Sequence, residues 1–249
     1  LTLAGTMTGT TDDFNNVEFL AAGTKTLGAN ASTSALTISA GTVVAPTLLS
    51  ISGNYTNNGD FTDSGGTLYF SGSGAQTLGG TMVGTTDDFS HVIFTGAGTK
   101  SFGANAASTS NFTINSGSGA VTAPSTMLTI AGNYTNNATF THNSGTAYFS
   151  SASAQTLSGT MTGSSAFAAT TFLGSGTKTF SANASTTNFL INSTSGAVTA
   201  PSLLSIAGNY TNSSTFTAGS GTTTFNGTAL QTLSGNMVGS SAFRNIEIT

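Results

Sequence analysis

Short apolar alternations recur along the whole chain. Leu49-Ser50-Ile51, Leu68-Tyr69-Phe70, Val92-Ile93-Phe94 and Phe112-Thr113-Ile114 each set two large apolar residues around one variable residue. A strand points successive side chains to opposite faces, so Leu68 and Phe70 face one way and Tyr69 the other. Drift between copies within the chain tells the two faces apart. Glu18, Ile93, Thr171 and Glu247 share the middle slot, whereas Phe19, Phe94, Phe172 and Ile248 share the next. A slot that accepts Glu faces water; one that stays large and apolar faces a core. Turns of Gly, Asn, Asp and Ser separate these segments, and no stretch of ten residues carries apolar positions at helical spacing. The pattern predicts an all-β chain.

A longer repeat lies over the short one. Ser52-Gly53-Asn54-Tyr55-Thr56-Asn57 returns with Tyr134 and with Tyr210, at spacings of 79 and 76 residues. Gln76-Thr77-Leu78 returns at Gln155 and Gln231, Gly-Thr-Lys falls at Lys25, Lys100 and Lys178, and Pro46, Pro124 and Pro201 occupy one slot each. No linker separates the copies. The chain therefore reads as one continuous array over 1–249, with copies at about 1–75, 76–154 and 155–230 and a partial copy at 231–249.

Within a copy the alternating segments end at Ile51, Phe70, Phe94, Ile114 and Ile130, in steps of 19, 24, 20 and 16 residues. That rhythm matches one coil of a parallel β-helix, in which coils stack about 4.8 Å apart. The expectation is a β-solenoid of roughly 13 coils, four per 75–79-residue repeat and about 60 Å long. The competing architecture, a string of small β-sandwiches, needs seven distinct strands and a boundary linker per copy.

Composition narrows the function classes. Only 5% of the 249 residues are charged, against about 25% in an ordinary soluble domain. Lys25, Lys100, Lys178 and Arg244 are the only fixed cations, too few and too scattered to neutralise nucleic-acid phosphates. No run is apolar enough to span a membrane as a helix. The chain has no cysteine, so disulfides and thiolate metal sites are excluded. Scarce charge and abundant Ser, Thr and Asn point to an extracellular or cell-surface address. Asn-x-Ser/Thr sequons, Asn54, Asn133 and Asn209 among them, offer acceptor sites for glycans.

Each group with candidate chemistry has a plainer reading. Asp12-Asp13 and Asp87-Asp88 hold matched places before Phe14 and Phe89, where paired carboxylates suit Ca²⁺. Later copies carry Ser165-Ala166 and Ser241-Ala242 there, so solvated turns are expected and no metal. Asp60 and Asp63 have the types of a glycosidase pair, but Asp60 should alternate outward beside Phe61 and Asp63 begin a turn. His91 and His142 have no repeated partner. Tyr55, Tyr134 and Tyr210 lie too far apart to form a sugar-binding stripe. Thr-x-Thr triplets such as Thr24-Lys25-Thr26, Thr139-Phe140-Thr141 and Thr215-Phe216-Thr217 resemble ice-binding arrays, but they are irregular and two of them bracket Phe. No catalytic, cofactor-binding or metal-binding residue is expected, and the chain is not expected to be an enzyme.

Gly208-Asn209-Tyr210-Thr211-Asn212, Phe216 to Gly221, and Gln231-Thr232-Leu233-Ser234-Gly235 resemble the β-strand repeats of large bacterial surface proteins, among them autotransporter-like and filamentous-haemagglutinin-like adhesins. That resemblance implies a β-helix, a surface or secreted location, and a stalk, adhesive or filament-forming role. It implies no catalytic residues. The chain also starts and stops inside the repeat with no capping segment, which leads to the expectation of a filament, fibre or surface-layer subunit. Its partner would be itself, head-to-tail or laterally, with surface glycans as further partners. The other readings are a stalk segment of an adhesin, a glycan-active β-helix enzyme and an ice-binding protein.

Overall fold

The computed structural model describes residues 1–9 and 13–249. Every strand pairing it contains is parallel, and the strands wind into a β-solenoid of about 12 turns. The cross-section has three sides, called here faces A, B and C. The two strand segments of Ala31–Ile38 show how the chain turns a corner. Residues 31–33 pair with Leu49–Ile51 on face B, and residues 36–38 pair with Tyr55–Asn57 on face A.

Inward slots hold the apolar residues that alternation assigns to the core. Leu68, Phe70, Val92, Phe94, Phe112 and Ile114 are all buried. Stacked coils put their aromatic rings in contact from turn to turn. Tyr55 meets Phe61, Phe70 and Phe89 at centroid distances of 5.7, 6.1 and 5.7 Å, and Phe70 passes the contact to Phe94 at 5.5 Å. The same cluster recurs about Tyr134 and Tyr210. Such pairs add about 0.5–1.5 kcal/mol each beyond the area they bury.

The repeat does not coincide with whole turns. From Lys25 to the residue before its counterpart Lys100 the chain lays down eleven sides, one short of four turns of three. The short side count arises at two places. Gln76–Gly80 pairs through its second half with Tyr55–Asn57 and through its first half with Lys100–Phe102, so the Tyr ladder continues as the Lys ladder. Meanwhile Met82 and Phe89 bridge to Ala106 and Ser108, and one irregular segment serves as a whole side. The next repeat hands over in the same way through Gln155–Gly159.

Each repeat therefore advances 3⅔ turns, about 18 Å, and ends one face round from where it began. Tyr55 lies on face A, Tyr134 on face B and Tyr210 on face C; Lys25, Lys100 and Lys178 lie on C, A and B. Successive repeats are related by a threefold screw. Four whole turns per repeat, the expectation from segment spacing, counts one side too many because the 81–89 segment resembles a side plus a corner in length.

Gly80, Gly159 and Gly235 close the handover. Their φ angles are +84°, +86° and +89°, and a Cβ at each would lie 2.0 Å from the carbonyl oxygen of Asn57, Asn136 or Asn212. Only glycine meets both conditions.

Candidate functional site

The polar residues that recur with the repeat are buried, and the backbone uses them. Lys100 is fully buried, and the three N–H groups of its Nζ are shared among the carbonyl oxygens of Gly72 (3.2 Å), Gly96 (2.5 Å), Gly98 (2.7 Å) and Thr95. Lys178 does the same for Ser151 (3.1 Å), Gly176 (2.7 Å) and Gly174, and Lys25 for Ala22 and Gly23. Each ammonium gathers the carbonyls of glycine-rich turns, several of which (Gly23, Gly72, Gly96, Ser151 and Gly174 O) also accept a backbone N–H from the following coil. Burial pushes the Lys100 ammonium down and that of Lys178 to about 8. Lys100 and Lys178 staple one coil to the next, and Lys25 holds the turn of its own coil.

Asp87 corrects the reading of the acidic pairs as solvated turns. It is 6% exposed, and its Oδ1 accepts the Phe61 N–H (2.8 Å) and the Asn57 side-chain amide (2.8 Å). Phe61 ends a ladder on face C, and the irregular segment that follows offers no carbonyl to it. The carboxylate replaces the missing strand. Ser165 and Ser241 Oγ accept the N–H groups of Phe140 and Phe216 at 3.1 Å each, at the matching ladder ends. Asp and Ser interchange there because either supplies an acceptor. Burial raises the neighbouring Asp88, and the charge of Asp87 adds to the effect. Asp12 lies outside the described residues. Among the described residues no three His, Asp or Glu side chains gather as a metal would need.

Gln and Asn complete the set. Gln76 Nε2 donates to Ile51 and Gly53 O (3.0 and 2.6 Å), and its Oε1 accepts from Gly72 N (2.7 Å). Gln231 repeats this with Ile206, Gly208 and Gly227. In the middle copy Ser151 stands where the others have Gly, and Gln155 Oε1 has no partner. Buried Asn57, Asn136 and Asn212 each donate across to the next coil, to Thr81, Thr160 and Asn236 O, and each accept a backbone N–H two residues on. The three tyrosines point inward, which removes any aromatic stripe. Their hydroxyls are buried without a partner.

Among the remaining candidates, Asp63, His91 and Ser110 lie near one another on successive coils. Asp60 is exposed and accepts from Thr42 Oγ1 at 3.3 Å. Asp63 turns the other way: its two oxygens accept Gly66 N (3.0 Å) and Ser90 N (2.7 Å), so it caps a turn. Burial raises its carboxyl against the pull of those bonds and of nearby His91. His91 Nε2 lies 3.3 Å from Ser110 Oγ, a contact between neighbouring coils that sequence reading did not pin. Among the described residues no hydrogen bond joins His91 to Asp63, although the imidazole is close enough to act on the carboxyl. His142 Nδ1 accepts the N–H of Ser144. A groove of about 510 Å³ along the corner at Gly28, Asn30, Pro46, Thr47, Ser64 and Gly66 has no titratable side chain in its wall.

No protein-family model, no curated protein and no solved structure matches the chain. Among the described residues no helix is long and apolar enough to cross a membrane.

Proposed function

We propose that the chain is a structural rod of an extracellular filament, fibre or surface layer. One observation carries this reading: the recurrent Lys, Gln, Asn and Asp or Ser residues are consumed in joining coil to coil. A binding or catalytic protein built on a solenoid would instead direct such groups outward on one face. The threefold screw adds support, because any outward group recurs on its own face only after three repeats, about 53 Å. Equivalent positions of successive repeats thus point in three different directions, which suits bearing load and spacing. An outer surface of Thr, Ser, Gly and Asn with little charge supports an extracellular address and association with further copies of itself.

Electron microscopy of the purified chain tests the reading. Filaments built of regular subunits support the filament role, and isolated rods about 58 Å long assign the chain to a stalk instead. Turnover of neutral or acidic polysaccharides, abolished by Asp63→Asn with the fold intact, would contradict both.

A further inference from the structure

Face B carries outward hydroxyls on six consecutive rungs through the middle of the rod, in two files offset by two residues along the strand, about 6.6 Å. Thr113 pairs with Thr135, Thr135 with Ser158, and Thr156 of that same strand with Thr179, Thr199 and Thr217 in succession. These seven residues occupy six consecutive rungs, about 24 Å of the axis, at the 4.8 Å interval that backbone hydrogen bonding imposes. Thr177 and Thr215 stand beside the second file on alternate rungs. The Phe and Lys between these threonines point into the core, so bracketing a large residue does not disturb the outer surface as sequence reading assumed.

Two further observations define what such a surface suits. The hydroxyls of Thr113, Thr156, Thr179, Thr199 and Thr217 make no hydrogen bond to another group among the described residues, and only Thr135 and Ser158 pair, at 3.0 Å. From Ser101 to Phe243 the single Asp, Glu, Lys or Arg is Lys178, and it is fully buried. The surface has no charge for an ionic partner, and these strands turn no aromatic ring outward for a sugar to stack on. It offers hydroxyls and methyls on the stiff side chain of Thr, held on a rigid lattice. Its axial interval lies close to the oxygen repeat of hexagonal ice.

We propose that face B between Thr113 and Thr217 binds ice, its threonine hydroxyls anchoring an ordered water layer that merges with the crystal. The test uses the intact chain, fluorescently labelled, and a growing ice shell. The expected result is enrichment in the ice over an ice-inert control protein, with growth of faceted crystals below the melting point. Thr179→Tyr with Thr199→Tyr should abolish both. Outward slots already hold Tyr69 and Tyr148, so the fold tolerates this change, and an unaltered unfolding midpoint confirms it. Exclusion of the unsubstituted chain from ice overturns the proposal, as does ice binding that survives the double substitution. Retention on crystalline cellulose or chitin without ice binding overturns it in favour of a neutral polysaccharide.

Discussion

At the scale of single residues, this solenoid is held by polar side chains that take the place of backbone. Asp87 and Ser165 show it best, since each supplies the acceptor that a missing strand would have given. Asp87→Ser is expected to leave stability nearly unchanged. Asp87→Ala should cost about 1–3 kcal/mol, because a buried N–H and the Asn57 amide lose their acceptor. Hydrogen exchange at the Phe61 amide, slow in the parent and in Asp87→Ser and fast in Asp87→Ala, reads this locally. Lys178 adds a pH dependence. Its folded value of about 8 lies below the 10.5 of the free side chain, so between these the unfolded chain holds more protons. Stability contributed by this group therefore rises with pH from about 8 to 10.5, and the cost of the buried charge is fully present below 8. Unfolding midpoints across that window should climb in the parent and climb less in Lys178→Met.

At the scale of the strand, alternation decides which changes matter. Phe94→Ala should cost about 3–5 kcal/mol, since it opens a cavity in the aromatic stack. Ile93→Thr, one residue away and outward, should stay within about 0.5 kcal/mol. Denaturation of the two variants side by side checks this. Facing was legible in the sequence because copies drift at Ile93 and not at Phe94, and parallel coils followed from the spacing. The buried roles of Lys100, Asp87 and Gln76 were not. Each meets partners two dozen or more residues away, and charged or amide residues in Gly-rich turns look like solvated surface until the coil closes over them. The hydroxyl files were hidden for a related reason. Thr113 and Thr217 belong to different parts of different repeats, and only the handover at Gln155–Gly159 sets them on one face.

At the scale of the whole molecule, eleven sides make a repeat, so that equivalent residues turn through one face as they rise. The sequence shows the repeat but not this phase, because a side and a corner can contain the same number of residues. The absence of cysteine allows spin labels to be placed cleanly. Thr56 and Thr135 are equivalent residues of successive repeats, on faces A and B and about 18 Å apart along the axis. Thr113 and Thr199 share face B, four rungs and about 19 Å apart along the axis, with a two-residue sideways step of about 6.6 Å between them. Each pair is changed to Cys, labelled, and its separation measured by double electron–electron resonance. With eleven sides per repeat, the distance between Thr56 and Thr135 is expected to be clearly longer, although their axial separation is the smaller. Equal distances for the two pairs would mean that each repeat closes whole turns, and would contradict the eleven-sided repeat.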